Sequence, residues 1–262
     1  MIEARGAGSG AGTDSPPGRR NGGREGGAKP KLLFGATALV VVLALAAGAV
    51  FLLGGGDDKA AGPPPEQRIE PTAYTPDFGD EGTTAIAKRA ADPRELTVEE
   101  VFGADTKTVK GGGLTFALTG THLSKDCKAV SWGAVLQQDL AKAQCRAIVR
   151  GAYLSADKRF SGQFIAIDLA DAAGVQQILR SLDPANGAGF VLPLNPEGAP
   201  PFVKGFSSAF AQARGHYAVL AWVQKAGGAD PASLNELLEA SLPIEYPVDF
   251  VWVRVQMADG RR

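Results

Sequence analysis

Two cysteines, Cys127 and Cys145, carry the most predictable chemistry of this 262-residue chain. A lone pair of cysteines outside the cytoplasm usually oxidises to a disulfide, and the charge pattern described below places both outside. Two free buried thiols are the alternative. A helix over residues 129–142 would span roughly 20 Å, whereas the Cα atoms of a disulfide lie within about 7 Å. The helix must therefore be interrupted, with Gly133 as the candidate point, or the chain must double back.

The histidines predict neither a metal site nor a cofactor. His122 and His216 are the only two, and no second ligand stands near either of them with metal-binding spacing. His216 falls at the tip of a predicted hairpin, a position typical of a turn or surface residue. We therefore expect no metal and no cofactor.

Serine chemistry leaves only traces, so we predict no catalytic residue and expect the protein not to be an enzyme. Ser155 and Lys158 have the S-x-x-K spacing of penicillin-binding proteins, but they fall in a predicted turn and not on a helix. A cryptic hydrolase would need Ser207 or Ser208 to meet His216 and a carboxylate. Short motifs of this kind arise often by chance.

Arg146 and Arg150 are candidate binding residues because they lie on one face of a predicted strand. The second candidate is the loop over residues 183–203, which is longer than an ordinary connection. The loop's candidate binding side chains are Phe190, Leu192 and Leu194. Long loops with apolar tips can bind partners, although these side chains could instead cap the core. A pocket that joins either arginine to the loop would favour binding.

The periodicity of apolar residues predicts alternating hairpins and helices. Strands are predicted at Leu114–Thr119, Cys145–Leu154, Phe160–Leu169, Phe206–Ala213, Tyr217–Val223 and Phe250–Val255. Helices are predicted at residues 97–103, Ala129–Lys142, Ala170–Leu182 and Pro231–Leu242. A hairpin followed by a helix thus occurs twice. The predicted fold class is α+β, with an antiparallel sheet of two or more hairpins and helices on one face.

An apolar stretch, Leu32–Leu53, precedes this domain and is long enough to cross a bilayer as one transmembrane helix. Arginines and lysines precede it, and Asp57 and Asp58 follow it. The positive flank predicts a cytoplasmic N-terminus and an extracytoplasmic C-terminal domain at the cell membrane. A cleaved signal peptide is the alternative, but the apolar run continues beyond both small-residue cleavage patterns, Ala44–Ala46 and Ala47–Ala49.

The composition divides the chain into four parts. Residues 1–31 have almost no large apolar side chains and predict a disordered cytoplasmic tail. Residues 54–93 are rich in proline and glycine and predict a linker, which leaves residues 94–262 as the folded domain. The chain carries a formal net charge of −1, so nucleic acid is not an expected partner. Ala44 and Gly48 would let two spans approach closely, which would make a homodimer possible.

The basic head, single span, proline-rich spacer and cysteine-paired domain resemble uncharacterised single-pass membrane proteins of high-GC Gram-positive, actinobacterial type. Cys127 and the segment Cys145–Ser155 (CRAIVRGAYLS) contribute most to the resemblance, which implies no known activity. We expect an anchored domain that binds or senses an envelope protein or ligand. A structural or assembly protein of the envelope is the alternative, and a cryptic hydrolase is a third.

Overall fold

The computed structural model describes residues 68–260. The predicted tail and the predicted span Leu32–Leu53 lie outside these residues. None of the helices within residues 68–260 combines the length and the hydrophobicity that crossing a bilayer requires.

The strands are β1 (Ala73–Asp77), β2 (Thr108–Gly111), β3 (Leu114–Ser124), β4 (Ser131–Trp132), β5 (Ala147–Ser155), β6 (Phe160–Asp168), β7 (Phe190–Val191), β8 (Ser207–Arg214) and β9 (Tyr217–Lys225). The α-helices are α1 (Val98–Val101), α2 (Ala134–Lys142), α3 (Ala172–Ser181), α4 (Leu234–Ile244) and α5 (Asp249–Ala258).

Seven strands form one sheet in the order β1-β8-β9-β6-β5-β3-β2. Every neighbouring pair is antiparallel except β1 and β8, which run parallel. The two predicted hairpins, β5–β6 and β8–β9, form the centre, and β6 pairs directly with β9. The predicted α+β class with a mainly antiparallel sheet is therefore confirmed.

Helices cover both faces of this sheet, so the prediction of helices on one face is wrong. One face packs α2 and α3 and includes the cysteine pair, and we call it the disulfide face. The other packs α1, α4 and α5, and we call it the ionic face because of the ion pairs described below. The physical reason is the composition of β5, β6 and β9, whose residues are buried on both sides. Such strands need a cover on each face.

The folded unit begins before residue 94, which corrects the predicted linker boundary. β1 lies in that linker and pairs with β8 from Ala73 opposite Ser208 to Asp77 opposite Gln212. Further along, Ile86 is fully buried, and its carbonyl accepts a hydrogen bond from the backbone of His216. Short apolar segments of this kind have no periodicity, because their burial depends on pairing with distant strands.

The disulfide resolves the conflict between the cysteines and the helix predicted between them. Cys127 and Cys145 are joined, with their Cα atoms 6.4 Å apart. The helix begins only at Ala134, after the short strand β4 and the turn at Gly133. Gly133 has a φ of 92°, and a Cβ there would lie 2.1 Å from the carbonyl oxygen of Ala188. Glycine is therefore required at this break, and the shortened helix brings the chain back to Cys145.

The C-terminal segment Phe250–Val255 is helical, although its β-branched and aromatic residues predict a strand. Within α5 the buried residues Phe250, Val251, Arg254 and Val255 follow helical spacing, whereas Trp252 and Val253 are exposed. Strand propensity is weak compared with tertiary packing. The helix carries Arg254 into the core, where that side chain finds its carboxylate partners.

Candidate functional site

The structure places Arg146 and Arg150 on opposite faces of the sheet, so the prediction that they share a face is wrong. Arg146 precedes β5, and its side chain turns to the ionic face. There its Nε donates to Asp168 at 2.8 Å, and its Nη1 and Nη2 donate to the carbonyl oxygens of Pro93 and Arg94. Arg146 thus has a structural role, because its donor nitrogens are used in contacts within the domain. Arg150, within β5, points to the disulfide face.

Arg150 lies under the loop that follows β7. Its Nη1 donates to the carbonyl oxygen of Leu192 at 2.7 Å. Its Nη2 contacts Nδ1 of His122, from the neighbouring strand β3, at 2.9 Å, where the two residues form a cross-strand pair. The arginine is 6% exposed. The structure thus joins Arg150 to the predicted binding loop through a direct hydrogen bond.

The charge of Arg150 has no carboxylate partner among residues 68–260. Its two hydrogen-bond partners, a carbonyl and an imidazole, are neutral acceptors, and its Nε has no hydrogen-bond partner at all. Burial lowers the pKa of Arg150 to about 10, which still leaves the guanidinium protonated at neutral pH. Buried charges are ordinarily paired, so this cation is an exception that requires a cause.

His122 forms the solvent side of the site. Burial and then the positive charge of Arg150 lower the pKa of His122, so the ring is neutral at pH 7. A guanidinium can only donate, and Nδ1 therefore accepts. The neutral ring consequently carries its proton on Nε2. Because His122 itself is exposed, it can leave Arg150 without disturbing the core.

The loop above Arg150 is held by polar contacts to the sheet. Gln163 on β6 donates to the carbonyl oxygen of Leu194 at 2.8 Å and accepts from the Leu194 backbone nitrogen at 3.0 Å. The loop also approaches β3 closely. A Cβ at Gly120 would lie 2.6 Å from Pro196. These contacts hold the Leu192 carbonyl at the arginine.

The apolar residues of the loop take the core-capping role that the sequence left as an alternative. Phe190 and Leu192 are buried, and the Phe190 ring lies 4.9 Å from that of Trp222, centroid to centroid. Leu194 is half-buried and contributes its backbone to Gln163. The loop thus presents no free apolar tip at these three positions, and its candidate binding group is the guanidinium beneath it.

Arg254 shows what a fully paired buried arginine looks like in the same fold. On the ionic face its Nε and Nη2 both contact the carboxylate of Glu100, and its Nη1 donates to Asp92 at 2.8 Å. Tyr217 also donates to Asp92, at 2.8 Å. Burial alone would raise the pKa of Asp92, but hydrogen bonds from His216, Arg254 and Tyr217 hold it well below its usual range.

His216 belongs to this ionic cluster and is not a surface residue, which corrects the interpretation from the sequence. It is completely buried. Its Nδ1 lies 3.4 Å from Asp168 and its Nε2 lies 3.4 Å from Asp92. The turn that carries it is covered by residues 83–92, which lie in the predicted linker. The burial of this segment is therefore the reason why the linker boundary is wrong and why His216 is not at the surface.

The arrangement that a serine hydrolase would need is not formed by Ser207 and Ser208. They begin β8, whereas His216 follows the other end of that strand, about 20 Å away at 3.3 Å per residue. Ser207 instead accepts a hydrogen bond from the Trp222 indole at 3.1 Å. Within residues 68–260 no group of three or more histidine, cysteine, aspartate or glutamate side chains could hold a metal ion.

A cleft of about 230 Å³ between α2 and α3 is a weaker candidate. Its two carboxylates are already occupied. Asp139 accepts from Ser181 at 2.7 Å and from Lys142 at 3.3 Å, and Asp171 caps α3 by accepting from the Gly174 nitrogen. No unmet polar group in this cleft indicates a ligand.

No protein-family model matches the chain, and no curated protein or solved structure does either.

Proposed function

We propose that residues 68–260 form the binding domain of a membrane-anchored protein and that Arg150 receives an anionic group of an envelope ligand or protein. Catalysis is not part of this proposal. The span Leu32–Leu53 and its positively charged N-terminal flank support the anchor and the outward orientation. The disulfide supports the same side of the membrane, because such bonds persist in oxidising compartments. The actinobacterial type of membrane protein that the sequence resembles fits this placement.

One observation carries the binding proposal: a buried guanidinium without a carboxylate and with an unpartnered Nε. Removing an ion from water costs several kcal/mol unless an opposite charge and hydrogen bonds compensate. Arg150 has hydrogen bonds on two nitrogens and no opposite charge. An anion that binds there would supply both the missing charge and the missing acceptor.

The geometry also supports a specific way in which the anion would bind. Nε and Nη2 form one edge of a guanidinium, and Arg254 gives this edge to Glu100. In Arg150 the same edge has only His122 on Nη2. A carboxylate or phosphate that displaces His122 would accept from both nitrogens in the bidentate manner that arginine favours. His122 can leave because it is exposed.

Anion-dependent stabilisation of the full-length protein tests this proposal. Unfolding of the disulfide-linked domain is followed at constant ionic strength while phosphate or acetate replaces chloride. A ligand that binds only the folded state raises its stability by RT ln(1 + [L]/Kd). We expect such a rise in the wild type and its loss in Arg150→Met. Arg159→Gln, at an exposed arginine already paired with Asp157, is the matched control and should keep the rise.

The imidazole of His122 provides a second readout. Displacement by an anion should shift the nitrogen resonances of His122 and leave those of the buried His216 unchanged. Stabilisation that persists in Arg150→Met, or an equal response to phosphate, acetate and chloride, would contradict the proposed site.

A further inference from the structure

The outer edge of strand β3 is only partly covered by a neighbouring strand. β2 pairs with residues 114–117 of β3, whereas β5 pairs with the other side of β3 as far as Ser124. The register of β3 shifts just beyond Leu118, and β-bulges commonly stand where the pairing along an edge ends. β2 is the last strand on this side of the sheet within residues 68–260. Residues 120–124 therefore form what we call the open edge.

The hydrogen-bond pattern between β3 and β5 determines which backbone groups the open edge presents. Residues of an antiparallel ladder alternate between those that bond to the partner strand and those that face away from it. The nitrogen of Ala156, directly after β5, donates to the carbonyl oxygen of Thr115 at 2.8 Å. The even-numbered residues of β5, Arg150 among them, therefore direct their backbone groups to β3. His122, which is paired with Arg150, directs its own to β5.

Thr121 and Leu123 flank His122 and consequently direct their N–H and C=O groups to the outside. No other backbone segment within residues 68–260 bonds to either residue. Thr121 is exposed, so the open edge is accessible from solvent. A row of unpaired N–H and C=O groups is a template on which another strand can pair.

The two outermost strands of the sheet carry protecting features that the open edge lacks. β1 contains Pro76. β2 has four residues, and its last, Gly111, lies against α4, where an added Cβ would be 3.3 Å from Pro243. Short edge strands, prolines, lysines and covering helices are the usual devices against unwanted pairing. Residues 120–124 contain neither proline nor lysine, so this edge can accept a strand from another chain.

The open edge also lies in the same row of the sheet as Arg150. A strand added beside β3 would be two strand spacings, roughly 9.5 Å, from β5. Arg150 already spans the first of these spacings, because its Nη2 lies 2.9 Å from Nδ1 of His122. On the added strand, the side chain opposite His122 would stand on the same face. A glutamate at that position reaches the guanidinium once the exposed imidazole rotates away.

We infer that the partner of this domain is an extended peptide segment that adds to the open edge as a further strand and places a glutamate carboxylate on Arg150. This inference deepens the proposed function and depends on its anion site. In strand addition, main-chain hydrogen bonds give affinity and pockets for alternate side chains give specificity. Arg150, buried and without a carboxylate partner within residues 68–260, makes that specificity acidic. Free phosphate or acetate would use the guanidinium but not the edge.

Selection from a library of short random peptides, displayed on phage, against the full-length protein tests the inference. The bound sequences are then synthesised and their affinities measured. We expect an acidic residue at one fixed position among strand-forming residues, and its replacement by glutamine should weaken binding about tenfold. N-methylation of alternate amides of the peptide is the sharper test. One set of methyl groups should abolish binding, and the other set should be tolerated, because only one edge of the peptide faces β3.

Two variants separate the edge from the guanidinium. Thr121→Pro removes an outward N–H without breaking the ladder to β5, and Thr121→Val, which keeps this amide, is the matched control. Thr121→Pro should lose peptide binding and keep stabilisation by phosphate or acetate, whereas Arg150→Met should lose both. If Thr121→Pro does not fold, the N-methylated peptides test the same hydrogen bonds in the wild type.

The possible failures are distinguishable. Stabilisation by small anions, without any selected peptide that requires Arg150, would overturn strand addition and leave the proposed function intact. Absence of both responses in the wild type would overturn both. Peptides that tolerate Thr121→Pro and both sets of N-methyl groups would bind elsewhere and overturn the inference. Selective cross-linking between two copies through a cysteine at position 121, without peptide, would assign the edge to a dimer and likewise overturn it.

Discussion

Arg254 and Arg150 are both buried arginines, but they face opposite sides of the sheet and differ in their partners. Arg254 gives one edge of its guanidinium to Glu100 and its remaining nitrogen to Asp92. Arg150 has a carbonyl, a neutral imidazole and an unpartnered Nε. The pKa of Arg254 is raised, because hydrogen bonds and the charges of its partners outweigh burial. Burial lowers that of Arg150.

This difference separates a structural role from the binding role that we propose for Arg150. The Arg254 cluster joins the segment before α1 to the turn between β8 and β9 and to α5, so its charges hold distant parts of the chain together. Arg150 joins only a loop to the sheet, and neutral side chains could do the same. No carboxylate within residues 68–260 pairs with Arg150, and our proposal supplies the missing anion from outside the chain.

The largest expected effect is the loss of Arg254. Arg254→Met would leave Asp92 and Glu100 without their cation, and removing one partner of a buried pair costs about 3–5 kcal/mol. Urea unfolding of the wild type and the variant measures the difference. A loss below ~1 kcal/mol would show that the carboxylates are solvated in the variant and that the cluster is not structural. Arg159→Gln, on the surface, should change stability by less than ~0.5 kcal/mol.

The disulfide should contribute nearly as much on the opposite face. Closing the 18-residue separation between Cys127 and Cys145 stabilises the fold by roughly 3 kcal/mol on the chain-entropy model. The double variant C127A/C145A should lose about that amount in urea unfolding, and reduction of the wild type should lower stability in parallel. Non-reducing electrophoresis should show a monomer without free thiols. A dimer band that disappears on reduction would indicate pairing between chains instead.

Stability should fall as the pH rises through the titration of His216. Burial alone would lower the pKa of this imidazole, but hydrogen bonds to Asp168 and Asp92 outweigh it and raise the pKa. A group with a raised folded pKa contributes stability that is complete below the unfolded pKa, about 6.5. That contribution disappears as the pH rises through the folded value.

The measurement compares urea unfolding at pH 6 and at pH 9 in the wild type and in His216→Gln. The decrease should be present in the wild type and smaller in the variant. His122→Gln should keep it, because no carboxylate within residues 68–260 forms an ion pair with His122, and burial and the charge of Arg150 lower its pKa. A wild-type stability that increases relative to His216→Gln over this range would contradict the assignment.

The smallest expected effect is the most informative one for the comparison. Arg150→Met loses hydrogen bonds worth about 1 kcal/mol each, but it also removes the unpaired buried charge. We therefore expect a change within ~1 kcal/mol in anion-free buffer, measured by urea unfolding. A loss comparable with that of Arg254→Met would mean that Arg150 is structural, and the contrast between the two arginines would then fail.

The sequence by itself determined the central hairpins, the repeated order of hairpin and helix, the cap of α1 at Thr97, and the cysteine pair. These features follow from local rules. Strand-length segments separated by turn residues indicate β5, β6, β8 and β9, and Thr97 accepts from the Glu100 nitrogen as its spacing predicts. Gly133 interrupts the predicted helix because only glycine fits its backbone and its close contact with the loop.

Only the tertiary structure decided which face each helix covers, that residues 73–77 form an edge strand, and that Phe250–Val255 is helical. It also decided that Arg146 and Arg150 separate and that His216 is buried. The physical reason is the same in each case. A short strand is stable only beside its partner strand. Whether a buried charged side chain has an opposite charge beside it depends on residues from distant parts of the chain. Neither condition is written in the local sequence, so the unpaired guanidinium of Arg150 becomes visible only in the folded chain.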